Sequence, residues 1–252
     1  MSSEAPRVVL LTGAGGGIGL AIAQNLLSNG ARVVGVDLST ARLSDLKAQY
    51  DAQLEIVTGD IGERSTSAQA VEIATTKFGR LDSIILNAAI LAPVGPVADT
   101  NVEDWRKLFN VNFFALLHTI QISMHQLRQN KGSIIMTSSG VSLRPNKAWN
   151  AYAAAKRAMN SVCAGLDLEE PDVSTVCITP GIVDTGIQKQ VRENHKATLP
   201  PEQYNWLNEM YEKGELVSPE KPASTFAKLA LRGVPPQVRG QVVAWDDKLV
   251  KA

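Results

Sequence analysis

The sequence predicts an α/β protein built on one doubly wound parallel sheet of seven strands, with helices on both faces. Two observations support this prediction. Short runs of β-branched and apolar residues alternate along the chain with longer segments that have helical periodicity. The predicted strands are also apolar throughout, a pattern typical of parallel strands that helices cover on both sides.

The elements follow one another in alternation along the chain. The predicted strands are residues 7–11, 31–37, 54–60, 81–87, 132–139, 173–181 and 240–246. The predicted helices are residues 18–30, 39–50, 67–79, 102–130, 150–169, 200–213 and 218–231. Gly30 is a typical helix stop, and Ser39 or Thr40 is a candidate cap of the second helix. Because the sequence contains no linker, repeat or low-complexity tract, we interpret residues 1–252 as a single domain.

Composition excludes several functional classes. The chain has 252 residues, of which 44% are hydrophobic and 20% charged, and its formal net charge is +0. A balanced charge gives no reason to expect nucleic acid or an anionic membrane as a partner. No apolar stretch approaches the roughly 18 residues that a membrane-spanning helix needs. The apolar run at residues 8–11 is also too short for the core of a signal peptide.

The cysteines and histidines predict neither a disulfide framework nor a metal site. The chain has two cysteines, Cys163 and Cys177, which favours a reducing, cytoplasmic setting. The three histidines, His118, His125 and His195, lack the spacing of metal ligands. We therefore expect no bound metal.

A glycine-rich stretch, TGAGGGIG at residues 12–19, separates the first strand from the first helix. The strict spacing G-x-G-x-x-G fails here, but T-G-x-x-x-G-x-G fits, with Gly13, Gly17 and Gly19. Glycines allow the chain to turn sharply, to approach a pyrophosphate closely and to present main-chain amides at a helix N-terminus. The alternative is a simple glycine-rich turn. The position of the stretch TGAGGGIG directly after the first strand of an alternating chain favours nucleotide binding over this alternative.

Asp37 ends the second strand and indicates which dinucleotide binds. A carboxylate at this position accepts hydrogen bonds from both ribose hydroxyls of the adenosine half and repels a 2′-phosphate. The glycine stretch contains no Arg or Lys that would receive that phosphate. The sequence therefore favours NAD(H) over NADP(H). The alternative is that Asp37 caps the following helix, because the segment DLST offers several candidate caps.

Tyr152 and Lys156 lie one helical turn apart in the segment YAAAK, so they share a helix face. They are either a surface pair or an acid and the group that tunes it. An ammonium at about 4 Å in an effective dielectric near 20 contributes on the order of 4 kcal/mol. That is roughly three pKa units, enough to bring a tyrosine from about 10 toward neutrality. A reaction that delivers a proton to a substrate oxygen needs a donor of this kind.

These and further segments resemble the short-chain dehydrogenases/reductases over nearly the whole chain. The resemblance implies a single-domain Rossmann-type fold. TGAGGGIG resembles the cofactor loop of that family, and GDI at residues 59–61 resembles its adenine-binding pair. NAAI at 87–90 resembles the family segment that follows the fourth strand. PGIVDT at 180–185 resembles the segment that contacts the nicotinamide amide. The cofactor-binding residues implied in this way are Gly13, Gly17, Ile18, Gly19, Asp37, Asp60, Ile61, Asn87, Ala88, Tyr152, Lys156, Val183 and Thr185.

The same resemblance implies a set of catalytic residues. NVN at 110–112 places Asn112 at the position where the family has an asparagine that kinks the helix and binds water. TSSG at 137–140 places Ser139 thirteen residues before Tyr152, a common spacing in the family. YAAAK matches the family signature Y-x-x-x-K. Ser139 would hold the substrate oxygen toward Tyr152, and Asn112 would hold a water behind Lys156. The implied activity is hydride transfer between NAD(H) and a small-molecule ketone, diketone or secondary alcohol.

Within the family, the sequence is most similar to sepiapterin reductases and to fungal diketone reductases of the benzil type. Two departures are visible. Those groups usually carry basic residues suited to NADP, where this chain has Asp37, and the aspartate that anchors a pterin ring aligns with Ala244. Other functions remain open: a protein that binds NAD(H) but has lost turnover, and a sugar-nucleotide epimerase, which the absence of a second substrate domain disfavours.

Two further expectations concern surfaces. Apolar residues on the long helix, together with the alanine-rich helix that carries Tyr152, predict a homodimer or homotetramer; the apolar residues are Leu108, Val111, Leu116, Ile120 and Leu127. Residues 186–217 mix apolar and charged side chains and are interpreted as a lid over the substrate, with hinges near Gly186 and Pro200. Trp206, Met210 and Tyr211 are expected to set the size of the substrate. The alternative is a static surface subdomain.

Overall fold

The computed structural model describes residues 5–251, and these form one seven-stranded parallel sheet. The strands are β1 (Val8–Thr12), β2 (Arg32–Asp37), β3 (Leu54–Thr58), β4 (Ser83–Leu86), β5 (Ser133–Thr137), β6 (Ser174–Thr179) and β7 (Val242–Ala244). Their order across the sheet is β3-β2-β1-β4-β5-β6-β7. The predicted fold class and each predicted strand are confirmed.

Helices cover both faces of this sheet. They are α1 (Gly17–Ser28), α2 (Ala41–Lys47), α3 (Arg64–Phe78), α4 (Val102–Phe109), α5 (Ala115–Asn130), α6 (Asn150–Glu169), α7 (Gly186–Asn194), α8 (Pro201–Glu212), α9 (Glu220–Arg232) and α10 (Lys248–Lys251). Apolar residues of α1 and α9 pack on one face, and those of α3, α5 and α6 pack on the other. The sequence did not predict α10, because four residues are too few to show a periodicity.

The strand order creates a crevice at the centre of the sheet. β1 pairs with β2 on one side and with β4 on the other. The chain therefore moves outward from β1 to β3 and then returns to add β4 on the opposite side of β1. In doubly wound sheets, ligands bind at the carboxyl ends of the strands where the order reverses in this way. The candidate site residues should meet at the carboxyl ends of β1 and β4.

The long helix predicted for residues 102–130 is interrupted. α4 ends at Phe109, a π-helical segment spans Asn110–Phe114, and α5 continues from Ala115. The interruption leaves the apolar spacing on either side nearly regular, so the sequence pattern did not separate the pieces. The interruption places Asn112 inside the protein, where it is 2% exposed.

The reason given above for expecting an oligomer is wrong. Leu108, Leu116, Ile120 and Leu127 are all buried within the single chain, and Val111 packs against the same core. Leu116, Ile120 and Leu127 cover the sheet of their own chain, and Leu108 packs in the cluster around Tyr152, so these side chains leave no apolar surplus for a second copy. The large apolar side chains that are exposed near this helix are instead Val102 and Phe114.

In the part of the chain that the structure describes, no helix combines the length and the apolar character required to cross a bilayer.

Candidate active site

The predicted site residues lie together because each follows the carboxyl end of a strand. The glycine loop follows β1, Asp37 ends β2 and Asp60 follows β3. Asn87 follows β4, Ser139 follows β5 and Val183 follows β6. Parallel strands place all of these positions at one edge of the sheet. The structure thus gathers at one edge residues that are far apart in sequence.

The glycine loop leaves no room for larger side chains on its inner side. A Cβ atom added at Gly19 would lie 1.8 Å from the carbonyl oxygen of Gly13, and one added at Gly15 would lie 2.1 Å from the carbonyl oxygen of Ser39. On the outer side, a Cβ added at Gly16 would meet no atom of the described chain within 4 Å. Gly16 is also the N-cap of α1, and no side chain in residues 5–251 caps that helix end. The loop therefore offers an open cradle and free main-chain amides, which fit a dinucleotide pyrophosphate.

Asp37 is tied to the glycine loop. One carboxylate oxygen accepts a hydrogen bond from the main-chain N–H of Gly15 at 2.8 Å, and the other accepts one from Ser39 at 3.0 Å. The residue that caps α2 is Thr40. The alternative that Asp37 serves as the cap of α2 is therefore wrong. Its half-buried carboxylate beside the open cradle fits a ribose with free hydroxyl groups.

The segments after β3 and β4 complete the side of the cradle. Asp60 is exposed and accepts a hydrogen bond from the main-chain N–H of Gly62 at 2.8 Å, while Ile61 is 8% exposed. The amide of Asn87 donates to the carbonyl oxygen of Gly13 at 3.0 Å. Asn87 also accepts a hydrogen bond from the hydroxyl of Thr137 at 3.2 Å.

Thr12 is a site residue that the sequence reasoning missed. Its buried hydroxyl accepts hydrogen bonds from the main-chain N–H groups of Asn87 at 3.0 Å and Ala88 at 3.1 Å. Thr12 therefore links the start of the glycine loop to the segment after β4. The available signal was its place as the first residue of the quoted glycine motif, directly at the end of β1.

Tyr152 and Lys156 both lie in the core, on the buried face of α6. Tyr152 is 8% exposed and Lys156 is 1% exposed. The ammonium of Lys156 donates a hydrogen bond to the carbonyl oxygen of Thr137, at the end of β5, at 2.6 Å. It also lies 5.7 Å from the centre of the Tyr152 ring. The surface-pair alternative is therefore wrong.

The prediction that Lys156 lowers the pKa of Tyr152 is wrong for this state of the chain. Burial raises the pKa of Tyr152 to about 12 and lowers the pKa of Lys156 to about 8. The sequence argument counted the attraction of the ammonium but not the desolvation of the phenol, and desolvation dominates. At neutral pH the structure therefore holds a protonated phenol beside an ammonium.

Ser139 lies directly after β5, with its backbone extended, and is partly exposed. Its hydroxyl accepts a weak hydrogen bond from the N–H of Val141 at 3.4 Å. The neighbouring Ser138 is buried and donates to the side chain of Asn160 on α6 at 2.7 Å. Ser138 thus anchors the end of β5 to the helix that carries Tyr152, and Ser139 remains free to contact a substrate.

Asn112 fixes the segment after β4 from the π-helical turn. Its side chain accepts a hydrogen bond from the N–H of Ile90 and donates one to the carbonyl oxygen of Ile90, both at 2.8 Å. Each end of an amide side chain has a second hydrogen-bonding position. A cavity of about 10 Å³ lies beside it, lined in part by Thr12, Thr119 and Lys156. That volume is about the minimum for one water molecule.

Val183 and Thr185 lie on the segment after β6, beside the glycine loop. Val183 forms a parallel bridge with Val217, which uses the carbonyl oxygen of Ile182 and the N–H of Asp184. The main-chain groups of Val183 are therefore not consumed by the bridge. The Thr185 hydroxyl donates to the carbonyl oxygen of Val183 at 3.3 Å.

An apolar cluster connects Tyr152 to the proposed lid. Val191 on α7, Leu199 before α8 and Leu207 on α8 are buried against Trp149 and Tyr152. Trp206 is 48% exposed and Tyr211 is 47% exposed, and neither they nor Met210 belong to the cluster. The structure therefore places these three residues outside the cluster that contains Tyr152, where Val191, Leu199 and Leu207 lie instead. The role of Trp206, Met210 and Tyr211 in setting the size of the substrate stays a prediction.

Among residues 5–251, no three His, Cys, Asp or Glu side chains form a group that could hold a metal ion.

Comparison with known protein families gives a match over most of the chain. The family model described as short chain dehydrogenase matches residues 7–196. The chain is 39% identical over 247 residues to an uncharacterized oxidoreductase of Schizosaccharomyces pombe, covering 97% of this chain and 98% of that relative. It is 34% identical over 254 residues to a Saccharomyces cerevisiae benzil reductase described as (S)-benzoin forming, covering 96% of this chain and 97% of that relative.

A solved structure agrees with the fold. A crystal structure of a short chain dehydrogenase/reductase from Saccharomyces cerevisiae superimposes with a TM-score of 0.95 at 35% sequence identity. The match covers 97% of this chain and 98% of that structure.

Proposed function

The chain belongs to the short-chain dehydrogenase family of oxidoreductases, and from this premise we propose that it interconverts ketones or diketones and secondary alcohols with NAD(H). The observation that carries the proposal is the buried pair of Tyr152 and Lys156 on one face of α6, beside the strand end that carries Ser139. A buried ammonium is rare in proteins because its desolvation is costly, so its presence here indicates a functional role.

Tyr152 is the proton donor of the proposed reaction. Its pKa of about 12 keeps the phenol protonated at neutral pH, which is the form that reduction of a carbonyl requires. We therefore propose Tyr152 as the acid that protonates the substrate oxygen in the reducing direction. As oxygen gains charge, Tyr152 delivers a proton to it, and the ammonium of Lys156 stabilises the phenolate that remains.

Ser139 and Asn112 support this transfer in different ways. Ser139 donates a hydrogen bond to the substrate oxygen and holds it toward Tyr152. Asn112 holds the segment after β4 in place through Ile90 and lines the small cavity next to Lys156. After each turnover Lys156 would pass a proton to the Tyr152 phenolate, and one water in that cavity would return a proton to Lys156.

The nicotinamide cofactor is proposed to bind in the cradle at the carboxyl ends of β1 and β4. When bound, NADH supplies the hydride. The glycine loop and the N-terminus of α1 would hold the pyrophosphate, Asp37 the ribose hydroxyls, and the remaining contacts would come from Asp60, Ile61, Asn87, Ala88, Val183 and Thr185. The carboxylate of Asp37 favours NAD(H) over NADP(H), because it would repel a 2′-phosphate.

The substrate is proposed to be a small carbonyl compound with apolar flanks. The walls near Tyr152 are apolar or aromatic and include Leu91, Trp149, Val191 and Leu207. The similarity to a benzil reductase supports aryl diketones as a first class to test.

We further propose that residues 186–217 close over the substrate as a lid. α7 and α8 bury Val191, Leu199 and Leu207 against the cluster around Tyr152, so a substrate enters only when these contacts open. Hydrogen exchange in 186–217 should slow when NADH and a substrate analogue bind. Exchange that stays the same with both ligands present would support the static subdomain instead.

A homodimer or homotetramer remains our proposal, but it now rests on another surface. A groove of about 730 Å³ runs along α4 and the π-helical segment, and it is lined by Val102, Trp105, Phe109 and Phe114. Val102 is 61% and Phe114 48% exposed, and Glu103 lies beside Arg106 and Lys107 at its rim, which suits a self-complementary contact. Light scattering at micromolar concentration should give a multiple of the chain mass, and a monomer mass would contradict it.

A cytoplasmic location is also proposed, because Cys163 and Cys177 are both free and buried. A tagged chain that accumulates outside the cytoplasm would contradict this.

The substitution Tyr152→Phe tests the mechanism. We expect kcat for reduction of 1-phenyl-1,2-propanedione to fall by about 10²–10⁴, because the proton donor is lost. NADH binding, followed by its fluorescence, should persist. Tyr50→Phe is the matched control, since Tyr50 packs against the apolar core on the other face of the sheet, before β3, and should affect turnover little.

Near-normal turnover in Tyr152→Phe would contradict the assigned role. A wild-type chain that binds NADH but reduces none of a broad panel of carbonyl compounds would contradict the proposed activity itself.

Cofactor preference is tested at Asp37. The wild-type kcat/KM should favour NADH over NADPH by about tenfold or more, the equivalent of 1.4 kcal/mol. Asp37→Asn removes the charge and keeps one of the two acceptor oxygens, so it retains the hydrogen bond from Gly15 or from Ser39 but not both, and it should narrow the preference for NADH. Asp37→Ala removes the charge and also both acceptor oxygens, so it should narrow the preference and weaken NADH binding as well. A wild-type preference for NADPH would refute the assignment.

A further inference from the structure

Trp149 carries a buried hydrogen-bond donor that has no partner among the described residues. The residue is 5% exposed, and in residues 5–251 no acceptor lies within hydrogen-bond distance of its indole Nε1. Buried donors are normally paired, because leaving one unpaired is costly. Trp105 in the same apolar cluster follows that rule, since its Nε1 donates to the hydroxyl of Thr100 at 2.9 Å. The unpaired donor of Trp149 therefore calls for an explanation.

The position of Trp149 connects it to the reaction. It is the N-cap of α6, three residues before Tyr152, so the two side chains are neighbours on the helix. Their rings meet edge to face with centroids 6.4 Å apart. A group held at Tyr152 would therefore lie close to the indole.

The backbone before Trp149 is strained in a way that fixes it. Ala148 has a φ of 68°, in the left-handed region that a residue with a Cβ rarely adopts, and it is 7% exposed. The carbonyl oxygen of Ala148 accepts a hydrogen bond from the N–H of Gly95 at 2.9 Å. Strain of this kind persists where the surroundings enforce it, and it is concentrated at functional sites. Here it sets the direction in which α6 begins and therefore where the indole lies.

We propose that the indole N–H of Trp149 donates a hydrogen bond to a second substrate oxygen, on the carbon next to the carbonyl that Tyr152 protonates. The inference rests on the proposed reductase activity and extends it to the substrate class. The two donors belong to side chains whose rings are in contact, and on this basis we assign them to oxygens on neighbouring carbons, as in a 1,2-diketone. A simple ketone lacks the second oxygen, so the indole N–H of Trp149 stays unpaired when such a ketone binds.

This arrangement gives selectivity by a known physical route. A site that places a buried polar group against a substrate oxygen discriminates strongly against the analogue that lacks that oxygen. The indole is neutral, so it does not compete with Tyr152 for the proton. Its role is to orient the diketone and to select for it.

The test compares two substrates that differ by one oxygen, 1-phenyl-1,2-propanedione and 1-phenyl-1-propanone. Their ratio of kcat/KM is measured in the wild type, in Trp149→Phe and in Trp105→Phe, so that the intrinsic reactivity of each substrate cancels between variants. In Trp149→Phe the diketone-to-ketone ratio of kcat/KM should fall about tenfold or more, mainly because kcat/KM for the diketone decreases. In Trp105→Phe, whose N–H is already paired within the protein, the ratio should stay at the wild-type value.

A second variant separates the hydrogen bond from packing. Replacement of Trp149 by 3-benzothienylalanine keeps the size and shape of the ring but substitutes sulfur for the N–H, so the same fall in the ratio is expected even if Trp149→Phe folds poorly. If kcat/KM falls equally for both substrates in the Trp149 variants, or if the ratio is unchanged in the benzothienyl variant, the proposal is overturned. If the wild type reduces neither substrate nor any other carbonyl compound, the proposed function fails, which is a different result.

Discussion

The burial of one ammonium group is the constraint on which the rest of the active site depends. Lys156 is 1% exposed, and its pKa falls from 10.5 to about 8, which corresponds to a cost on the order of 3 kcal/mol when it is charged. Because the unfolded chain holds this proton more tightly, Lys156 adds stability as pH rises from about 8 to 10.5 and opposes folding below that range. The protein tolerates this cost because the ammonium is bonded to the carbonyl oxygen of Thr137.

That single hydrogen bond joins the two elements that carry the proposed catalytic residues. Thr137 ends β5, and the next residues lead to Ser139, while Lys156 and Tyr152 lie on α6. Ser138 reinforces the junction through Asn160. Thr137 also donates to Asn87, which in turn contacts the carbonyl oxygen of Gly13 in the cofactor cradle. The proposed proton donor, Tyr152, and the glycine-loop cradle are therefore held in register by one continuous chain of hydrogen bonds.

The sequence predicted the parts of this arrangement that short-range patterns encode. Continuous apolar strands predicted the parallel sheet, and glycine, Asp37 and the Tyr152–Lys156 spacing predicted where the site lies. The apolar periodicity did not show the π-helical turn at Asn112, because one extra residue hardly changes it, whereas the family resemblance implied a kinked helix at that position. The sequence reasoning also missed Thr12 and the unpaired indole of Trp149, whose significance depends on tertiary partners. The pKa of Tyr152 was misjudged because desolvation can be seen only once the fold is known.

The central claim is that the charge of the buried Lys156 supports proton delivery by Tyr152. The most direct measurement is kcat/KM for reduction of 1-phenyl-1,2-propanedione by NADH between about pH 6 and pH 10, with saturating cofactor. Since the pKa of Lys156 is about 8, we expect a constant value below that pH and a fall above it that approaches tenfold per pH unit. A value of kcat/KM that stays constant up to pH 10 would contradict the account, because proton delivery would then not depend on the ammonium.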